Sequence, residues 1–439
     1  MTGKLIGLII FGLLAQAVPV QAAMVAKRSV LGNGLVLLTS EQRTLPMVSI
    51  ELLIDAGARH ESAEHAGLAH LTSKLLTDGT AKRNALQISD ALDFIGASLE
   101  TGCGDDLATI SMTILKKDLT VGLQLLAEIL TSASFPLAEI DRQKQAIIAS
   151  IKAKEEDPGT VGSEAFAAAL FPASAYGRPV EGTEASVKRL DRIRVQDFFR
   201  RYYRPNRSIM SVVGDVSEQE ISAALNQVFP NWAKGEPSNP PPAPTQKEGT
   251  RALRINKDLT QANIILGHGG VPRGHPDYYA IQVMNYILGG GGFSSRAMES
   301  IRNARGLAYS VYSYFGAEKS YGTFQFVMQT KNDSAAEAIQ LAQEEIRRMR
   351  DEMVSEAELN DAKDYLIGSF PLRFDTNRKI AAFLGQVEYF ALGLDYPERY
   401  GDLIRKVSRA DVQRVARQHL LPEKLITVIV GNQQRIKLP

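Results

Sequence analysis

The chain has one cysteine, Cys103, and one tryptophan in 439 residues. A single thiol cannot form an internal disulfide, and it excludes zinc sites built from two or more cysteines. Excess charge of either sign is also missing. The 50 basic and 49 acidic residues leave +1 with no long run of one sign, so electrostatic capture by nucleic acid or an anionic membrane is not expected. No G-x-S-x-G elbow and no G-x-x-x-x-G-K-[ST] loop occurs, which removes two common routes to hydrolysis and phosphate binding. Only one long apolar run is present, "LIGLIIFGLLAQAVPV" after Lys4. With small residues at Val20 and Ala22 it reads as a signal peptide over 1–22, which implies a periplasmic or secreted protein. Pro19 and the modest length of the run argue against a stable membrane span.

What remains is an ordinary globular composition, 44% apolar and 23% charged, long enough for a core that needs no disulfides. The segment 232–250, "WAKGEPSNPPPAPTQKEGT", holds five prolines and reads as an exposed linker. It separates two stretches of similar size, 24–231 and 251–436. In the first, Asn33-Gly34 between apolar runs signals a hairpin. "LATISMTIL" alternates as a strand with Ala108, Ile110, Met112 and Ile114 on one face, and helical spacing covers about 64–77, 86–96, 118–133, 137–154, 160–170 and 193–203. In the second, strands "ANIILGHGG", "LAYSVYSYF", "GTFQFVMQT" and "LITVIVG" mix with helices near 334–350, 355–371 and 409–420. The expected fold class is α+β: two related halves, each a largely antiparallel sheet covered by helices. Cys103 reads as a packing or turn residue rather than a nucleophile.

The stretch "AGLAHLTSK" followed by "DGT" resembles the pitrilysin/insulinase family of zinc peptidases, whose helix carries H-x-x-E-H. "YGRPVEGTEASV" and "RRYYRPNRSIMSVVGDV" extend the resemblance over nearly the whole mature chain. In that motif two histidines at i and i+4 share a helix face and reach one zinc, a distant carboxylate completes the ligands, and the internal Glu deprotonates the attacking water. Here His70 holds the first ligand position. Ser73 stands at the general base, Lys74 at the second histidine and Ser150 at the distal carboxylate, while Gln143 falls where a supporting Glu is usual. The resemblance therefore implies a degenerate site with no catalytic residue and no metal or cofactor in this chain, zinc being expected in a partner subunit. A rescue site from His60, Glu61, Glu64, His65 and His70 is not expected, because those upstream residues read as exposed loop and helix-start positions.

"SSRAMESIRNARGLAYSVYSYF" retains the family-like Arg and Tyr that reach a peptide substrate, at Arg302 and Tyr309, with Arg296 and Arg305 as competitors for the arginine role. Gly289, Gly290, Gly291 and Gly292 precede it and read either as a flexible loop at a chamber mouth or as a plain turn. The resemblance implies one half of a clamshell, the noncatalytic subunit of an exported zinc metallopeptidase complex with an intact homologous partner. The alternative is a stand-alone peptide-binding or scaffold protein.

Overall fold

The computed structural model describes residues 25–247, 249 and 251–437; the signal-peptide reading lies outside them. The first half contains β1 (Lys27–Val30), β2 (Val36–Glu41), β3 (Met47–Ile54), α1 (Leu68–Lys74), α2 (Ala85–Phe94), β4 (Ser98–Cys103) and β5 (Ala108–Leu115). It continues with α3 (Leu119–Ser132), α4 (Leu137–Lys154), α5 (Pro158–Leu170), α6 (Glu184–Arg189), α7 (Arg192–Tyr202), β6 (Ser208–Gly214) and α8 (Glu218–Val228). The second half contains β7 (Arg251–Asn256), β8 (Gln261–Gly270), α9 (Tyr278–Asn285), β9 (Ala308–Ala317) and β10 (Gly322–Lys331). Then follow α10 (Ala335–Asp351), α11 (Glu356–Ser369), α12 (Asn377–Tyr389), α13 (Tyr396–Arg405), α14 (Arg409–His419) and β11 (Ile426–Gly431).

The strands form two sheets, β1-β2-β6-β3-β5-β4 and β7-β11-β8-β10-β9. In each, the first long strand pairs in parallel with the last, and every other pairing is antiparallel. Leaving out β1, strand order, chain order and direction are the same in both sheets, so one plan is used twice. The third strand of each plan, β4 or β9, lies at the sheet edge.

Each sheet buries one face under its own helices. In β5 the residues Ala108, Ile110, Met112 and Ile114 point into that core beside Leu123, Leu126 and Leu130 of α3, as the alternation predicts. The other face is covered by the opposite half: α5 packs on β11 and β8, and α12 packs on β6 and β3. The first exchange buries Phe166 and Leu170 against Ile265, Val428 and Val430. The second buries Ala381 and Leu384 against Leu38 and Val213. Gly385 permits the close approach of α12, since a Cβ there would lie 2.9 Å from Leu53 Cδ1. Ion pairs Arg28–Glu388 and Arg378–Glu100 flank the exchanged helix.

Residues 232–247 run without helix or strand, yet they are tied down. Ser238 donates to Asp55, and Arg59 and Arg207 donate to the Asn239, Glu236 and Pro237 carbonyls. Among the described residues no helix is long and apolar enough to cross a membrane.

Candidate functional site

α1 begins at Gly67, whose φ of +95° favours glycine; a Cβ there would lie 2.5 Å from the Glu181 carbonyl. With no side-chain cap at Gly67, the carboxylate of Glu61 serves instead, accepting the Gly67 and Ala69 N–H groups at 2.9 Å each. Burial pushes Glu61 up to about 7 despite those bonds. Glu61 was expected to be exposed and is instead buried, because the start of the helix needs an acceptor that its own N-cap cannot supply. His60 is likewise partly buried, 2.6 Å from Asp55 and stacked on Tyr202. His65 lies within hydrogen-bond reach of Ser62 and accepts from Arg194. The upstream histidines and Glu61 are thus each engaged separately and do not converge on His70.

The motif positions are arranged as follows. Ser73 is buried and donates to the Gly102 carbonyl at 2.9 Å. Lys74 is exposed, and so is Ser150 on α4. One turn beyond Ser150, Lys154 pairs with Glu181. The charged groups acting on His70 are Glu181, Lys74 and Lys154. Burial pulls the imidazole below its usual range; Glu181 opposes this shift, and the two ammonium groups add to it. Burial also works against the charge on Glu181, but the hydrogen bond from Lys154 keeps it below the usual carboxylate range. Gln143 donates to Asp78 at 2.6 Å, tying α4 to the D-G-T turn.

These residues do not fit zinc. The single imidazole faces two cations, the nearby carboxylate is already paired with one of them, and the serine at the base position is committed to a backbone carbonyl. Bringing a divalent ion to within about 4 Å of one ammonium costs several kcal/mol even at an effective dielectric near 20. Cys103, at the end of β4, is no substitute. Burial pushes its thiol well up, and Glu61, Asp105 and Glu181 add to the shift, which is the reverse of what a thiolate nucleophile needs. Glu181 was missed in the sequence, although it sits inside the quoted "RPVEGT". Its role follows from the packing of Gly182 against Ala66, where a Cβ would lie 2.2 Å from the carbonyl.

The second polar group lies in the other half. Tyr286–Gly290 and Met298–Asn303 are π-helical turns, a distortion frequent at functional sites. Gly289 is packed rather than free, since a Cβ would lie 2.5 Å from Ser313 Oγ; Gly292, with φ of +57°, has open space around it. The Arg302 guanidinium lies 5.1 Å from the Phe293 ring centroid and 6.0 Å from that of Tyr309. Tyr309 is the extra residue of a β-bulge, as Ser310 pairs with Gln329 and Ala308 with Thr330. The bulge turns the phenol outward, 73% exposed on the edge strand, near Phe293 at 70%. Arg296 is committed to Glu358 by two bonds of 2.6 and 3.0 Å, and Arg305 pairs with Glu337. Of the three arginines only Arg302 has no carboxylate partner among the described residues. No hydrogen bond, ion pair or ring contact among the described residues joins this element to α1.

Residues 36–184 match the model of the insulinase family (peptidase family M16), and 189–366 match that of the peptidase M16 inactive domain. The chain belongs to this pitrilysin/insulinase family. An "uncharacterized zinc protease" of Streptomyces coelicolor is 28% identical over 416 residues, spanning 92% of this chain and 89% of the relative. A Bacillus subtilis protein of the same description is 25% identical, spanning 89% and 93%. Among solved structures, a peptidase M16 inactive domain from Pseudomonas fluorescens superposes with a TM-score of 0.89 at 26% identity, covering 94% of this chain and 99% of that one. A protease from Helicobacter pylori shares the fold at TM-score 0.84 and 19% identity, covering 92% and 99%.

Proposed function

We propose that this chain is the noncatalytic subunit of an exported zinc metallopeptidase, paired with a homologous subunit that carries an intact H-x-x-E-H helix. The observation that carries the reading is a contrast within one chain. Ser73, Lys74 and Ser150 put groups that repel or ignore a cation at three of the metal-site positions, while Arg302 has no carboxylate partner among the described residues and lies beside the outward-turned Tyr309. A guanidinium and a phenol offer several donors to peptide carbonyls or to a developing oxyanion. Those donors lower a barrier only when a zinc ion and a base face them, which the partner supplies. The two-sheet chain would form one half of a closing chamber, and its substrates would be peptides or unfolded segments small enough to enter. The lysine-led apolar run at the N-terminus supports export.

The test is co-expression with a homologue bearing H-x-x-E-H, followed by size-exclusion chromatography and peptide-cleavage assays on each protein and on the mixture. The reading expects a stable mixed complex that cleaves and no cleavage by this chain alone. Chelator-sensitive hydrolysis by the isolated chain overturns it.

A further inference from the structure

We propose that His275, Asp277 and His419 form a binding site for a borderline divalent transition-metal cation, Zn²⁺ above all, in the second half and away from α1. Asp277 occupies the position before α9, with His275 two residues earlier, and His419 is the last residue of α14. The two helices pack on each other, so the three side chains meet on supported backbone. One ligand atom from each lies within 4.8 Å of the others, and among the described residues no other group of three or more such side chains is so placed.

The spacings suit a small ion. His419 Nε2 lies 2.8 Å from Asp277 Oδ2, and His275 Nδ1 lies 3.9 Å from the same oxygen. Bonds of about 2.0–2.1 Å in a tetrahedron put neighbouring ligand atoms roughly 3.3 Å apart, between those two values. Arg414 holds the other carboxylate oxygen, Oδ1, at 2.8 Å and leaves Oδ2 toward the imidazoles; its charge opposes a cation, and what offsets it here is a pair of imidazoles where α1 has one. Two contacts must yield. His419 gives up the proton it shares with Asp277, and His275 Nδ1 gives up the Asp277 N–H that it accepts at 3.1 Å. That N–H lies at the start of a helix beside a side chain 31% exposed, where water can replace the bond. The same opening leaves room for water to complete the coordination. Two imidazoles and one carboxylate favour Zn²⁺, Ni²⁺ or Cu²⁺ over Ca²⁺ and Mg²⁺, which take oxygen ligands. A bound ion would fasten the start of α9 to the end of α14.

The test is titration of Zn²⁺ into the metal-stripped full chain by calorimetry, with thermal melting as a second readout, on wild type, His275→Ala, His419→Ala and His70→Ala. The proposal expects one ion per chain and a raised Tm in wild type and in His70→Ala. It expects binding at least ~10-fold weaker, with no Tm rise, in the other two. The His275 side chain is half-buried and lies in the turn before α9, more exposed than that of His419, so its variant keeps the test valid if His419→Ala fails to fold. No binding to wild type, or equal binding by wild type and His275→Ala, overturns the site. Zinc lost only in His70→Ala overturns it and contradicts the reading of α1 as well, so the two failures are distinguishable.

Discussion

The two halves follow one strand plan, and the segment between its second and third strands can be compared directly. In the first half that segment carries Glu61, His70, Ser73 and Lys74; in the second it carries Phe293, Arg296 and Arg302, and Tyr309 follows on the third strand. In the first half Glu61, Ser73 and the nearby Glu181 are satisfied from within: a capped helix, a bonded serine, a paired carboxylate. In the second, Arg296 is held by Glu358 through Nε and Nη2, while half-buried Arg302 and exposed Tyr309 have no carboxylate partner among the described residues. Side chains whose bonding is complete hold the fold. Side chains left incomplete at a surface are those with interactions to offer a second molecule.

That difference is open to attack by substitution. The largest effect is expected at Glu61. Replacing it by Ala leaves two N–H groups of α1 without an acceptor in a buried setting, and the loss should be about 4 kcal/mol, read as a lower urea midpoint. A loss below ~1 kcal/mol would mean that the first half is not held by its polar groups as described.

A slightly smaller effect is expected at His268, inside the second sheet. Its Nδ1 lies 2.7 Å from the Gly269 carbonyl, and Nε2 accepts the Leu421 N–H at 3.1 Å, so the neutral ring is required. Burial pulls the group down to about 4. Between its ordinary value of about 6.5 and that lower one, the unfolded chain holds more of the proton. The stabilising contribution is therefore complete above pH 6.5 and is lost as pH falls through 4, on the order of 3 kcal/mol in all. His268→Phe should be less stable near neutrality but flatter across this window in pH-dependent urea titrations; an unchanged slope contradicts the assignment.

The smallest effect on stability belongs to Arg302 and Tyr309, neither of which has an ion pair among the described residues. Arg302→Ala and Tyr309→Phe should each stay within ~0.5 kcal/mol of wild type. Each should nevertheless cut cleavage by the reconstituted complex by at least ~10-fold with assembly intact. Unchanged rates would remove both residues from the substrate surface.

Much of this architecture was legible because its signals are local. Helical spacing marked α3, α4 and α10 to within a residue or two, and alternation marked the buried face of β5. The exchange of α5 and α12 was not legible. An apolar stripe such as Phe166 and Leu170 says that a face is buried, not which distant sheet covers it. α13 is absent from the sequence reading although Tyr396, Tyr400 and Ile404 recur at helical spacing; its Pro397 is accepted in the first turn. The degenerate motif was visible as letters, but the cation beside His70 from α4, Lys154, and its paired Glu181 required the fold. Nothing in the sequence marked His275, Asp277 and His419 as neighbours, since α9 and α14 lie far apart along the chain.

The central claim is that α1 and its surroundings hold no catalytic zinc. Its most direct test is zinc content and peptide hydrolysis of the isolated His419→Ala protein, in which the second candidate site is disabled. The account predicts less than stoichiometric zinc and no hydrolysis with or without chelator. One zinc per chain, lost on His70→Ala and accompanied by chelator-sensitive cleavage, would contradict it.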